Sequence, residues 1–81
     1  MPISGVVIKC IPERAAELAE TLAQPETVEI HGVLPGGRLI AVIEADSVDG
    51  EVEVVSRLMA ADGVIDVQLA YHNFEDVEPV N

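Results

Sequence analysis

The side chains able to do chemistry are few, and their spacing assembles no reaction. Cys10, His31 and His72 are the only thiol and imidazoles of the chain. A metal-carrying thiolate site in a chain this small needs a second cysteine near the first. Cys10 stands alone in Val7-Ile8-Lys9-Cys10-Ile11, and Ile11-Pro12-Glu13 lacks the paired cysteines of a copper carrier, so a buried core thiol is expected. The two histidines fall on separate segments with no third ligand near either, which argues against a metal site. Asp46, Asp49, Glu51 and Glu53 offer oxygens of the kind calcium takes, without the spacing of a calcium loop; a helix cap and a solvated helix face account for them. Pro35-Gly36-Gly37-Arg38 has no Lys-Ser/Thr to hold a phosphate and reads as a turn. No Ser/His/Asp or Cys/His set is present at any spacing that would pair nucleophile and base. The expectation is a protein with no catalytic residue, no metal and no cofactor: a binder, not an enzyme.

Composition narrows what is bound. The chain has 81 residues, enough for a single small core. Four Lys+Arg against fifteen Asp+Glu give a formal charge of −11 at pH 7, yet 49% of the residues are hydrophobic, so the chain folds and is strongly acidic. That field repels phosphate backbones and anionic membrane surfaces and attracts a cationic segment of a partner. Nucleic acid is excluded a second way, because Tyr71 and Phe74 are the only aromatics available to stack on bases. A single cysteine allows no intrachain disulfide. No apolar run approaches the length of a membrane span, and the first residues show no signal for export, so a cytoplasmic protein without stable membrane insertion is expected.

The elements that must position a binding surface follow from periodicity. Ile3 to Ile11 is dense in β-branched residues and stops at Pro12, as a strand would. Pro12 opens a helix whose Ala15, Leu18, Ala19 and Leu22 share a face, and Pro25 ends it. Glu26 to Leu34 and Arg38 to Ala45 flank the Pro-Gly-Gly turn as a hairpin. Asp46 or Ser47 caps a second helix, with Val48, Val52, Val55 and Met59 along one side; Asp62-Gly63 closes it. Val64 to Asn73 is the last strand. The fold class is α+β. The order β-α-β-β-α-β predicts a ferredoxin-like split βαβ arrangement: a four-stranded antiparallel sheet with strands one and three central and both helices on one face. The domain is expected over residues 1–73, with 74–81 a flexible acidic tail.

Alternation assigns the two faces of that sheet. The covered face takes Val6, Ile8, Cys10, Val28, Ile30, Leu39, Ala41, Ile43, Ile65, Val67, Leu69 and Tyr71. The open face is left with Val7, Lys9, Glu29, His31, Val33, Ile40, Val42, Glu44, Asp66, Gln68, Ala70 and His72. An apolar centre with an acidic surround suits an amphipathic basic peptide. A dimer interface, or an ordinary partly apolar surface, accounts for the same pattern equally well, and a weak homodimer stays open.

Val6-Val7-Ile8 with Pro12-Glu13-Arg14, the strand Pro35-Gly36-Gly37-Arg38-Leu39-Ile40-Ala41-Val42-Ile43-Glu44-Ala45, then Asp62-Gly63-Val64 and Leu69-Ala70-Tyr71-His72, resemble the NapD family over residues 4–75. The resemblance implies a cytoplasmic assembly chaperone of periplasmic nitrate reductase. Such a protein binds the twin-arginine signal peptide of the catalytic subunit, NapA, and delays its export until the cofactors are loaded. It implies a peptide bound as a helix on the sheet, its apolar residues at the centre and its arginines near Glu29, Glu44 or Asp66. The candidate contacts are then Val7, Lys9, Glu29, His31, Ile40, Val42, Glu44, Asp66, Ala70 and His72. Gly5 and Ala70 depart from the family's larger residues and flatten the face. The competing functional class is a dimeric small-molecule-sensing regulatory domain of the same fold. An acylphosphatase-type enzyme is a third, opposed by the missing phosphate loop before the first helix.

Overall fold

Four segments rich in β-branched residues form the strands, and the two segments with helical spacing pack between them in the chain. A computed structural model describes residues 2–74, with side chains described over residues 3–70. The elements are β1 (Pro2–Cys10), a 3-10 turn (Pro12–Arg14) leading into α1 (Ala15–Leu22), β2 (Val28–Leu34), β3 (Arg38–Glu44), α2 (Val48–Ala60) and β4 (Val64–Phe74). The sheet order is β2-β3-β1-β4 with every pairing antiparallel. This is the expected ferredoxin-like arrangement, with β1 and β3 central. Residues beyond Phe74, and with them nearly all of the expected tail, lie outside the described residues.

The core lies on the helix side of the sheet. Ile8, Leu39, Ala41 and Ile43 from the central strands are wholly buried against Leu18 and Leu22 of α1 and Leu58 of α2. Each of the leucine and isoleucine side chains contributes about 1.5–3 kcal/mol by leaving water, which is what a domain this small depends on. Cys10 belongs to this cluster, and burial pushes its thiol pKa up, as expected for a structural cysteine. Local signals hold the ends. The Ser47 hydroxyl accepts from the Gly50 N–H at 3.0 Å and caps α2. Gly37 has φ of +77° and sits so close under the Cys10 carbonyl that a Cβ would collide with it; its own carbonyl accepts from the Cys10 N–H at 2.7 Å. The Arg14 guanidinium spans Glu17 at 2.6 Å and Asp62 at 2.9 Å, joining the start of α1 to the turn before β4.

Three sequence expectations are corrected. The stripe Val48, Val52, Val55, Met59 is not the packing face of α2: Val48, Val52 and Met59 are exposed, whereas Glu51 and Leu58 are buried and Val54 and Val55 half-buried. The helix is turned so that a carboxylate lies inward, where Ser4 Oγ donates to Glu51 Oε2 at 2.8 Å. Strict alternation also fails twice in β4. Cys10 pairs with Val64 and Lys9 with Asp66, leaving Ile65 as an extra, exposed residue; a second shift at Gly5/Val6 leaves Ala70 unpaired. Leu69 keeps its register opposite Val6 but is exposed, on the edge strand of the sheet. In β2 the extra residue is His31, so Val33 pairs with buried Leu39 instead of joining the open face. A one-residue bulge changes the phase of everything after it, and nothing in a period-two reading announces it.

Candidate functional site

The register builds the uncovered face in rows running across the sheet. Ile3 of β1 lies opposite Glu44 of β3. The next row is Glu29, Val42 and Gly5; the one after is Gly32, Ile40, Val7 and Gln68. The last is Leu34, Arg38, Lys9 and Asp66. Directly opposed residues share a face, so these rows give the composition of the surface among the described side chains. Ile3, Val7, Ile40 and Val42 form an apolar stripe along the two central strands, each half-buried with no helix above it. Gly5 lowers the floor within that stripe, between Ile3 and Val7, and Gly32 lowers it beside the stripe, opposite Ile40.

Charge is distributed unevenly along the stripe. Glu29 and Glu44 stand at one end, both exposed, and His31 Nε2 lies 2.9 Å from Glu29 Oε1, bringing the bulged histidine over the same end. At the other end Arg38 and Lys9 face each other across the central pair, with Asp66 on the far side of Lys9. Among the described residues neither Lys9 nor Arg38 makes an ion pair, whereas Arg14 and Arg57 are each bound to carboxylates of their own neighbourhood.

Of the residues singled out from sequence, the fold brings Val7, Ile40, Val42, Glu29, Glu44 and His31 to one continuous surface. It separates Asp66 from the two glutamates by the length of the stripe and pairs it with Lys9. Ala70 is exposed but sits in the bulge, off the row pattern. The side chain of His72 is outside the described ones; its backbone pairs with Ser4.

The family model described as NapD protein matches residues 1–76. The chain belongs to the NapD family. Its fold is also that of a solved member, the solution structure of the E. coli Tat proofreading chaperone protein NapD. The two share 24% sequence identity, with a TM-score of 0.80 over 98% of this chain and 84% of that one. No curated protein matches the chain.

This NapD-family chain has a second apolar surface, which the sequence reading missed. Because α2 is turned to bury Glu51, its Val48 and Val52 line a groove of about 280 Å³ with Val55, Val67 and Leu69, floored by Ser4 and Val6. The signal was present: four apolar positions on a helix whose carboxylate at 51 interrupts the opposite face. It favours the wrong orientation because burial of a glutamate is ordinarily unfavourable unless a hydrogen bond answers it. Among the described residues no group of His, Cys, Asp and Glu could hold a metal ion, and no helix is long and apolar enough to cross a membrane.

Proposed function

We propose that the chain is a chaperone that binds the twin-arginine signal peptide of a periplasmic nitrate reductase catalytic subunit on its open sheet face. It acts in the cytoplasm by occupancy, without turnover, and delays export of its client until cofactor loading is complete. Membership of the NapD family supports the client class, and the likeness to a Tat proofreading chaperone points the same way. The observation that carries the reading is the apolar stripe Ile3, Val7, Ile40 and Val42, uncovered by any element of the described chain and edged by Glu29 and Glu44. An amphipathic helix laid there buries its apolar side on the stripe while its guanidinium groups meet carboxylates in charge-assisted hydrogen bonds. The overall charge of −11 adds long-range attraction for a cationic segment.

Calorimetric titration of the protein with such a peptide and with its twin-lysine counterpart, at two salt concentrations, tests this. Binding should be measurable, weaker for the lysine peptide, and weaker at high salt. Absence of binding heat at several temperatures would overturn the proposal, and stabilisation by amino acids or metal ions instead would move the chain to the small-molecule-sensing class.

A further inference from the structure

Resting on the peptide-binding reading above, the geometry points to a fixed direction for the bound helix, set by Lys9 and Arg38. These are the two cations of the chain left without an ion pair among the described residues, and the register places them face to face at one end of the apolar stripe. Like charges directly opposed across a strand pair are destabilising, and Asp66, although it lies opposite Lys9 on the neighbouring strand, makes no ion pair with it and accepts from Gln68 instead. An unfavourable pair on the central strands of an otherwise acidic protein suggests a role in recognition.

The dimensions agree with one occupant. Arg38 and Glu44 terminate the same strand, so the poles are separated by six residue steps, roughly 20 Å. A helix covers that distance in about 13 residues. Signal peptides place their cations ahead of an apolar segment of roughly 7–15 residues, which is the length the stripe accommodates. Two electrostatic effects then select the same orientation. The peptide's arginines and the positive end of its helix dipole belong beside Glu29 and Glu44. The negative end of the dipole, at the helix C-terminus, belongs beside Lys9 and Arg38. The reversed helix would put arginines against two cations and its own negative end against two carboxylates. Lys9 and Arg38 thus act chiefly by rejecting the wrong direction, and with it peptides whose cations follow the apolar segment.

The test uses the full chain, isotopically labelled, and a synthetic twin-arginine signal peptide carrying a nitroxide at either end of its apolar segment. The label next to the arginines should erase amide signals around Glu29 and Glu44, and the label at the far end those around Lys9 and Arg38. In the Lys9→Glu, Arg38→Glu double variant, checked for an intact spectrum, each label should instead attenuate both ends. The opposite pattern in the unmodified protein, or an unchanged pattern in the double variant, overturns the assigned direction while leaving peptide binding intact. A peptide that fails to bind the unmodified protein at all overturns the reading on which the direction rests.

Discussion

β3 carries the same kinds of residue on both sides and meets two different fates. Leu39, Ala41 and Ile43 are wholly buried under the helices, whereas Ile40 and Val42, alternating with them, stay half-exposed on the other face. The helices satisfy one face only, so the apolar residues of the other contribute little to this chain's own core. Residue type is equal and parity alone differs. What the contrast teaches is that stability and binding are written on alternate residues of one strand, and substitutions should separate them.

The largest effect belongs to the covered face. Leu39→Ala should cost about 2–5 kcal/mol by urea unfolding, because it opens a cavity at the centre of the core. A loss below 1 kcal/mol would mean that the helices pack less firmly than described. Gly37→Ala comes next, at about 1–3 kcal/mol, since the added carbon meets the Cys10 carbonyl at a backbone angle that favours glycine; retention of full stability would show that the hairpin can shift away. The covered face also predicts a pH dependence. Burial raises the Cys10 pKa in the folded chain, so its contribution is complete below the ordinary thiol value and is lost as pH rises through the raised one. Unfolding free energy should therefore fall above pH of about 8.5, by up to about 1.4 kcal/mol per unit, and this slope should vanish in Cys10→Ala. The smallest effect on stability belongs to the open face: Ile40→Asp should change it by less than about 1 kcal/mol, and a larger loss would break the distinction between the faces.

Much of this division was legible in the residues. The Pro35-Gly36-Gly37 hairpin, the Ser47 cap, the order of strands and the parity of β1 and β3 follow from turn chemistry and alternation, and Val7, Ile40 and Val42 of the central stripe follow with them, though Ile3 does not. The edge strands did not read as well. Bulges at His31, Ile65 and Ala70 reset the phase in β2 and β4, and an inserted residue looks like any other in a sequence. The orientation of α2 was hidden for a different reason. Glu51 lies inward through its hydrogen bond with Ser4, a contact across 47 positions that no local pattern contains. The same rotation exposes Val48 and Val52 and opens the second apolar groove.

That groove offers the most direct test of the central claim, because the two surfaces compete for the same description. Peptide affinity should be measured calorimetrically for Val42→Lys on the open face and for Val52→Lys in the groove, against the unmodified chain. Val42→Lys should weaken binding of the twin-arginine peptide by about tenfold or more, the equivalent of about 1.4 kcal/mol, and Val52→Lys should leave it unchanged. Loss of binding in Val52→Lys with Val42→Lys unaffected would contradict the account and move the peptide to the groove between α2 and β4.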